Sequence, residues 1–471
     1  MKAKYILFTL LAGCLTASSG CKKWLDVSPK TQVRESEMLK DEQGFKDAIT
    51  GTYIQLSDAP LYGQTLTMSF MDVLGQRYNV TNSTSPFYQT AIYNYLNDGT
   101  KGTIASIWTN MYGAIGNVNN ILTIIDGKKE LFSGNNYGRI KGEALGLRAL
   151  LHFDLLRMFG AAPIVDAQRK AIPYVTGFGV KVTPLLTVQN VIDSCLNDLR
   201  AAEGLLAADK IIREDYNTDP FQSFTRNHIN YWAVKGLEAR ILLYGNDKIN
   251  ALAAALEVIN NHQSNFPFVT GPAASASYNR DRAYAREQLF ALNVYKMKAY
   301  SDEYFTTTST GAPPLSVTSK ALNTLYETAA GGSSDIRFNY QFNANAGAFA
   351  TAKYTIDNIN TPYLLNNVPV IRLSEMYYIA AECATLPADG VAYLNEVRAH
   401  RGLVALPLNI SAANLQTAIL KEYKKEFYAE GQLFYYFKRL NAPKIDGSSI
   451  LTSDAVYIFP LPDNETEFGN R

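Results

Sequence analysis

Residues 143–165 read EALGLRALLHFDLLRMFGAAPIV, and the rest of the chain is organised around them. On a helix, Leu147, Leu150, Leu155 and Met158 point one way, and Leu145, Ala149, Leu156 and Phe159 another. Two narrow polar seams remain. Glu143, Asp154 and Arg157 share one, Arg148 and His152 the other. A helix apolar on nearly every side is buried among other elements, and its charges need partners there. Gly160 supplies a stop and Pro163 opposes resumption. The stretch predicts the central helix of a layered helical array.

Working outward, 471 residues suffice for one large domain or two to three ordinary ones, with a core that needs no metal or disulfide. Lys and Arg number 44 against 43 Asp and Glu, so no strong field toward nucleic acid or an anionic membrane is implied. Residues 1–20 have the form of a secretion leader. Lys2 and Lys4 open it, Tyr5 to Leu15 make a short apolar core, and Ala17, Ser18, Ser19 and Gly20 precede Cys21. Small residues before a cysteine are similar to a bacterial lipoprotein cleavage box. Two cysteines compete for it. Leu11-Ala12-Gly13-Cys14 fits the box better in letters, but cleavage there leaves a very short core, so Cys21 is favoured. Cys195 and Cys383 fall within helical patterns and read as small core residues rather than a disulfide or metal pair.

Further helices are expected at 40–56, with Phe45, Ile49 and Tyr53 on one stripe, and at 108–125, through Trp108, Tyr112, Ile115, Asn119 and Leu122. Residues 184–206 carry Thr187 as N-cap and Val191, Cys195, Leu199 and Leu206 inward. Two helix pairs follow, 226–246 with 250–260 and 372–384 with 390–401. The first has a short Gly/Asn/Asp turn and alanines, Ala239, Ala253 and Ala254, that suit a tetratricopeptide-like unit. Residues 60–104 and 262–368 are helix-poor, and residues 287–292 alternate like a short strand.

No phosphate loop, dinucleotide fingerprint, zinc helix or calcium loop is present, so no metal, cofactor or catalytic residue is assigned. His152, His228, His262 and His400 are scattered, and His152 reads as a satisfied core histidine. Glu422, Glu426 and Glu430 form an i, i+4, i+8 row. Among Lys421, Lys424, Lys425 and Lys438, the row reads as a solvated, ion-paired face rather than a hydrolytic pair. Binding candidates lie instead in the irregular parts. Residues 77–95 hold Arg77, Tyr78, Phe87, Tyr88, Tyr93 and Tyr95, and residues 278–305 hold Tyr278, Arg280, Tyr284, Tyr300, Tyr304 and Phe305. Rings next to amide and guanidinium groups suit the C–H faces and hydroxyls of sugars. For any single ring the plainer reading is that it pins a loop to the helices. The residues selected as ligand contacts are Arg77, Tyr78, Tyr88, Tyr300 and Tyr304.

Several ordered motifs carry a resemblance. Glu143, Ala144, Leu147, Arg148, Ala149, Phe153, Asp154, Leu155, Arg157, Phe159, Gly160, Pro163 and Val165 match the segment EALxLRAxxxFDLxRxFGxxPxV of the SusD/RagB family. Cys21 with Leu25-Asp26 resembles that family's mature start, and Trp108 to Asn119 its WxxxYxxIxxxN helix. Pro369, Arg372 and Glu375, Leu394 to Arg398, Glu422 to Gly431 and Tyr457 to Pro462 resemble its C-terminal motifs. Gln432 and Tyr436 depart from the Arg or His and the Asp usual there. The resemblance implies a mainly α, SusD-like fold, in which tetratricopeptide-like repeats support an irregular, loop-rich subdomain with few short strands. It implies a leader at 1–20, a tether at 21–39 and a SusD-like domain at 40–471. Repeats are expected at about 105–261 and 370–440, and ligand-side segments at about 60–104 and 262–368. The implied protein is no enzyme. It is an outward-facing outer-membrane lipoprotein anchored through lipid on Cys21, which binds oligosaccharide or another nutrient and delivers it to a SusC-like TonB-dependent transporter as its lid. A surface-anchored hydrolase and a protein-binding repeat scaffold are the alternatives.

Overall fold

The computed structural model describes residues 38–179, 182–306, 313–356 and 358–469. The leader, Cys14, Cys21 and nearly all of the tether lie outside these residues. The frame consists of α1 (Glu42–Leu56), α2 (Asp98–Ile124), α3 (Asn136–Phe159), α4 (Val188–Leu206), α5 (Tyr231–Tyr244), α6 (Lys248–Asn260), α7 (Leu373–Cys383), α8 (Pro387–His400), α9 (Ala412–Glu426) and α10 (Leu433–Arg439). From α1 to α9 each helix packs on the next, so the stack grows by adjacent pairs. Side chains cap several starts. Asp41, Asn97, Thr187, Asn230, Asp247 and Ser411 each accept a backbone N–H from the first turn.

The helix that organises the sequence also organises the fold. Every residue of α3 from Gly142 to Phe159 is buried, and α1, α2, α4 and α5 all pack on it. Each buried leucine contributes about 1.5–3 kcal/mol. The polar seams are satisfied from neighbouring elements. Glu143 accepts from the Tyr53 hydroxyl at 2.8 Å and lies 3.0 Å from His228 Nδ1. Asp154 takes Arg157 and the Tyr62 hydroxyl, the latter at 2.6 Å. Arg148 donates twice to Asp198, at 2.6 and 2.7 Å, and to Asn119. His152 Nδ1 donates to the Arg148 carbonyl while Nε2 accepts from Val175 N, and burial pushes the ring down to about 3, a neutral core histidine. Gly160 ends α3 in an extended conformation. What it provides is space, since a Cβ there would sit 2.8 Å from Leu156 Cδ1 and 3.0 Å from Ala171 Cβ. Pro163 opens a further single turn, Pro163–Asp166, so it starts a helix where the sequence reading had it blocking one.

The main boundary difference is α2. It begins at Asp98, ten residues before the expected Trp108, because the polar, glycine-bearing run DGTKGT hides a helix that Asn97 caps. Cys195 and Cys383 are buried free thiols.

After α6 the chain leaves the stack and returns at α7. The exit and return strands pair antiparallel, β3 (Gln288–Asn293) with β7 (Asn367–Arg372). Between them, β4 (Val317–Thr318), β6 (Ala348–Thr351) and β5 (Phe342–Asn345) form a small sheet in that order. With β1 (Lys170–Pro173) and β2 (Leu185–Thr187), strand makes up 7% of the structure against 58% helix, as a mainly α fold with few short strands requires.

This insert is fastened to α9 by buried charge, which corrects the expected solvated face. Glu422, Glu426 and Glu430 are buried, and their principal partners are arginines from elsewhere. Glu426 accepts from Arg337 at 2.8 Å, from Arg401 at 2.6 and 3.0 Å, and from Arg372. Glu422 takes Arg337 and Arg398, and Glu430 takes Lys353 and Arg372. Arg337 and Lys353 belong to the insert, so these bonds join it to the frame. Burial raises both carboxyls of the pair Glu422 and Glu426, but the cations outweigh it. Glu422 is held at about 2, and Glu426 well below the usual carboxylate range.

Candidate functional site

The stretch from Gln64 to Tyr95 lies beside the stretch from Met297 to Ser316. Gln64 Nε2 donates to Glu303 at 2.8 Å, and Asn79 N donates to the Ser316 carbonyl at 2.9 Å. The Phe87 ring meets Tyr304 edge-on at 5.6 Å, and Tyr78 lies 6.1 Å from Phe305. Two of the expected ligand-side segments are therefore neighbours through rings and hydrogen bonds. Tyr88 sits on the single turn Tyr88–Ala91, and Tyr300 and Tyr304 lie one turn apart on the helix Met297–Phe305. All three are half-buried. Burial pushes the Tyr304 hydroxyl up to about 12, with Glu303 adding to the rise and a bond to Ser69 opposing it.

Arg77 and Tyr78 are placed differently. Both are buried, and both are engaged with the frame. Arg77 donates to the Lys424 carbonyl and lies over the Tyr428 ring at 4.7 Å, while Tyr428 donates back to the Arg77 carbonyl at 3.1 Å. The Tyr78 hydroxyl donates to the Met68 carbonyl at 2.7 Å, and its ring meets Tyr428 edge-on. Tyr93 and Tyr95 are likewise buried. Tyr278 and Arg280 do not join the cluster. Tyr278 bonds Asn360, and Arg280 lies over Tyr340 at 5.6 Å.

The floor under this cluster depends on Asp72. Its carboxylate accepts from Ala429 N and, at 2.8 Å, from Gly431 N in the link between α9 and α10. Burial pushes that carboxyl up to about 7, with Arg77 opposing. Ala429 and Gly431 both have positive φ, and a Cβ on Gly431 would lie 2.0 Å from the Leu66 carbonyl oxygen. Only glycine fits there, the physical reason for the Glu430-Gly431 pair in the motif. The departures at 432 and 436 are also accommodated. Gln432 accepts from Arg157 and donates to the Glu430 carbonyl, and Tyr436 packs on Tyr423 at 4.7 Å.

Sequence reasoning missed two constellations. The buried arginines Arg337, Arg372 and Arg401 are far apart in the chain, and no periodicity joins them. His262, Phe268 and His400 meet in one groove although 138 positions separate the two histidines.

The structure is thus a frame of helical repeats with an irregular side bearing half-buried tyrosines, in a chain of formal net charge +1. The comparisons with known proteins agree. Residues 23–243 match a family model described as starch-binding and associating with the outer membrane, and residues 282–466 match the SusD family model. The chain belongs to the SusD/RagB family. It is similar to SusD-like protein P2 of Formosa agariphila, at 22% identity over 99% of this chain and 97% of that one. SusD-like protein P25 of the same organism is 21% identical over 59% of this chain, and that match spans 49% of P25. Among solved structures, a SusD superfamily protein from Bacteroides thetaiotaomicron aligns with TM-score 0.69 at 22% identity, over 91% of this chain and 98% of that one. A SusD-like carbohydrate binding protein from Bacteroides vulgatus gives 0.68 at 20% identity, over 91% and 96%. The surface glycan-binding protein A of Bacteroides uniformis gives 0.68 at 18%, over 90% and 97%. At these identities the solved structures establish a common fold.

Proposed function

We propose that this protein captures oligosaccharide or a similar nutrient at the cell surface and passes it to a SusC-like TonB-dependent transporter, over which it acts as a lid. In this reading residues 1–20 are the leader, Cys21 carries the lipid, 21–39 form the tether and 40–471 the binding domain, held on the outer face of the outer membrane. A single acyl chain binds a membrane only reversibly, so the transporter contact and additional acyl chains prolong residence. Ligand shifts the lid toward its closed position in proportion to its preference for that state.

The observation that carries the proposal is the cluster of half-buried rings where residues 64–95 meet 297–316. Tyr88, Tyr300 and Tyr304 are its ligand contacts, while Arg77 and Tyr78 hold the cluster in place from beneath. The family description and two fold neighbours, one a carbohydrate binding protein and one a surface glycan-binding protein, support a saccharide ligand. No bond chemistry is proposed. The carboxylate row that a hydrolase reading would use is neutralised by buried arginines. The test is a glycan-array screen followed by calorimetry. Tyr88→Ala and Tyr300→Ala should each weaken the selected glycan by about 1 kcal/mol or more without loss of fold. Two folded variants that bind like the parent would place the site elsewhere, and turnover of the glycan would favour the hydrolase.

A further inference from the structure

A groove of about 510 Å³ lies where the C-terminal end of α8, residues 262–271 and Ile336 meet. His262, Phe268, Glu396 and His400 stand on its walls. The His400 ring stacks on Phe268, with centroids 4.1 Å apart and planes at 18°, and His262 meets the edge of Phe268 at 5.6 Å. Phe268 is buried, whereas the His400 side chain is 38% exposed, so the open ring face of the stack belongs to His400.

Hydrogen bonding determines what the two imidazoles offer. His262 Nδ1 donates to the Ile259 carbonyl at 2.8 Å, and His400 Nδ1 to the Glu396 carbonyl at 2.9 Å. A carbonyl oxygen only accepts, so Nδ1 carries the proton in each neutral ring and Nε2 keeps its lone pair. Neither Nε2 has a hydrogen-bond partner among the described residues. Apart from the histidines, Glu396 is the only ionisable residue on the groove wall; its carboxylate is half exposed and lies 3.7 Å from His400 Nδ1. The groove wall thus carries two imidazoles whose Nε2 can accept, one carboxylate, the Gln263 amide, the Thr270 hydroxyl and one flat ring face.

We propose that this groove is a second ligand site, for a six-membered amino sugar whose C–H face lies on His400, whose ammonium donates to Glu396 and one of whose hydroxyls donates to His262 Nε2. An anionic sugar is repelled by the Glu396 carboxylate. A neutral sugar makes the stack and the hydroxyl bond but leaves the carboxylate without a cation. A flexible alkylammonium satisfies the charge but not the flat shelf. The groove shares no residue with the ring cluster at 64–95 and 297–316, so the proposal stands or falls apart from that reading.

The untagged full chain has four histidines, which makes isotope-labelled histidine a direct probe. His152, buried with both nitrogens bonded, is the internal reference. Glucosamine, glucose and glucuronic acid are titrated at one fixed neutral pH while the ring resonances are followed. Glucosamine should shift the His262 and His400 signals saturably and leave His152 in place. Glucose should bind about tenfold more weakly, the difference expected for one charge-assisted hydrogen bond, and glucuronic acid should not saturate. Glu396→Gln should erase the preference for glucosamine over glucose. His400→Ala should abolish the response of His262 while His152 keeps its position, which reports an intact fold. The proposal is overturned if glucosamine moves neither signal, if His152 moves with them, or if glucuronic acid binds as well as glucosamine. Failure of the ring-cluster reading is seen separately, in the calorimetry of the Tyr88 and Tyr300 variants.

Discussion

Replacing Glu426 with Gln tests whether buried charge fastens the insert between α6 and α7 to the frame. Glu426 is 1% exposed and is shared by Arg337, Arg372 and Arg401. Seven cations take part in the network, Arg337, Lys353, Arg372, Arg398, Arg401, Lys425 and, at its exposed edge, Lys421. They meet six anions, Glu287, Glu327, Asp335, Glu422, Glu426 and Glu430. Glu426→Gln removes the one carboxylate that Arg337, Arg372 and Arg401 share and leaves buried positive charge uncompensated. Breaking a buried pair in this way costs about 3–5 kcal/mol. With an unfolding entropy near 2.1 cal/mol/K per residue, a chain of this length should lose roughly 3–5 °C in Tm. The pH dependence follows from the direction of the shifts. Glu422 and Glu426 have folded values below their usual 4.5, so their stabilisation is complete above that value. It is lost as pH falls from about 4.5 toward about 2, the value at which Glu422 is held. Denaturant unfolding at neutral and acidic pH measures both effects, and hydrogen exchange across residues 335–354 shows whether the insert loosens first. A Glu426→Gln protein within about 0.5 kcal/mol of the parent, the range of ordinary surface substitutions, would refute the argument.

Leu150→Asp places an unpaired charge at a fully buried position on α3 and should cost several kcal/mol, of order the penalty for an uncompensated buried ion; an unchanged melting curve would refute burial of that face. Arg77→Ala removes the contact with Tyr428 and should lower stability by about 1–2 kcal/mol. If it instead abolishes glycan binding with no loss of stability, Arg77 touches ligand and its assignment beneath the cluster is wrong. Cys21→Ala should abolish lipid attachment, read by metabolic acyl labelling; label retained on Cys21→Ala and lost on Cys14→Ala would move the anchor to Cys14.

Much of the frame was legible because helix burial leaves a periodic record in the sequence. The all-round apolar pattern of 143–159, the stripe Phe45, Ile49 and Tyr53, and the cap at Thr187 are local properties, and all hold in the structure. The early start of α2 was hidden because Asp, Gly and Thr have weak helix propensity, and packing on α1 and α3 overrides it. The glutamate row was misplaced because ion partners need not be local. The lysines nearby in sequence suggested a solvated face, whereas arginines from distant segments fold over the row and bury it. The ring cluster was half legible. Composition marked aromatic-rich loops, but composition does not say which rings point outward. Tertiary packing buries Arg77 and Tyr78 against Tyr428 and leaves Tyr88, Tyr300 and Tyr304 half-buried. The sequence by itself determined most of the frame helices, since burial on a helix depends on short-range spacing, and its motifs carried the resemblance to the family; the helices Met297–Phe305 and Ser319–Tyr326 lie in a segment it had as helix-poor. Only the tertiary structure decided which charges neutralise one another and that His262 and His400 share a groove, because those contacts join residues that no repeat of the chain connects.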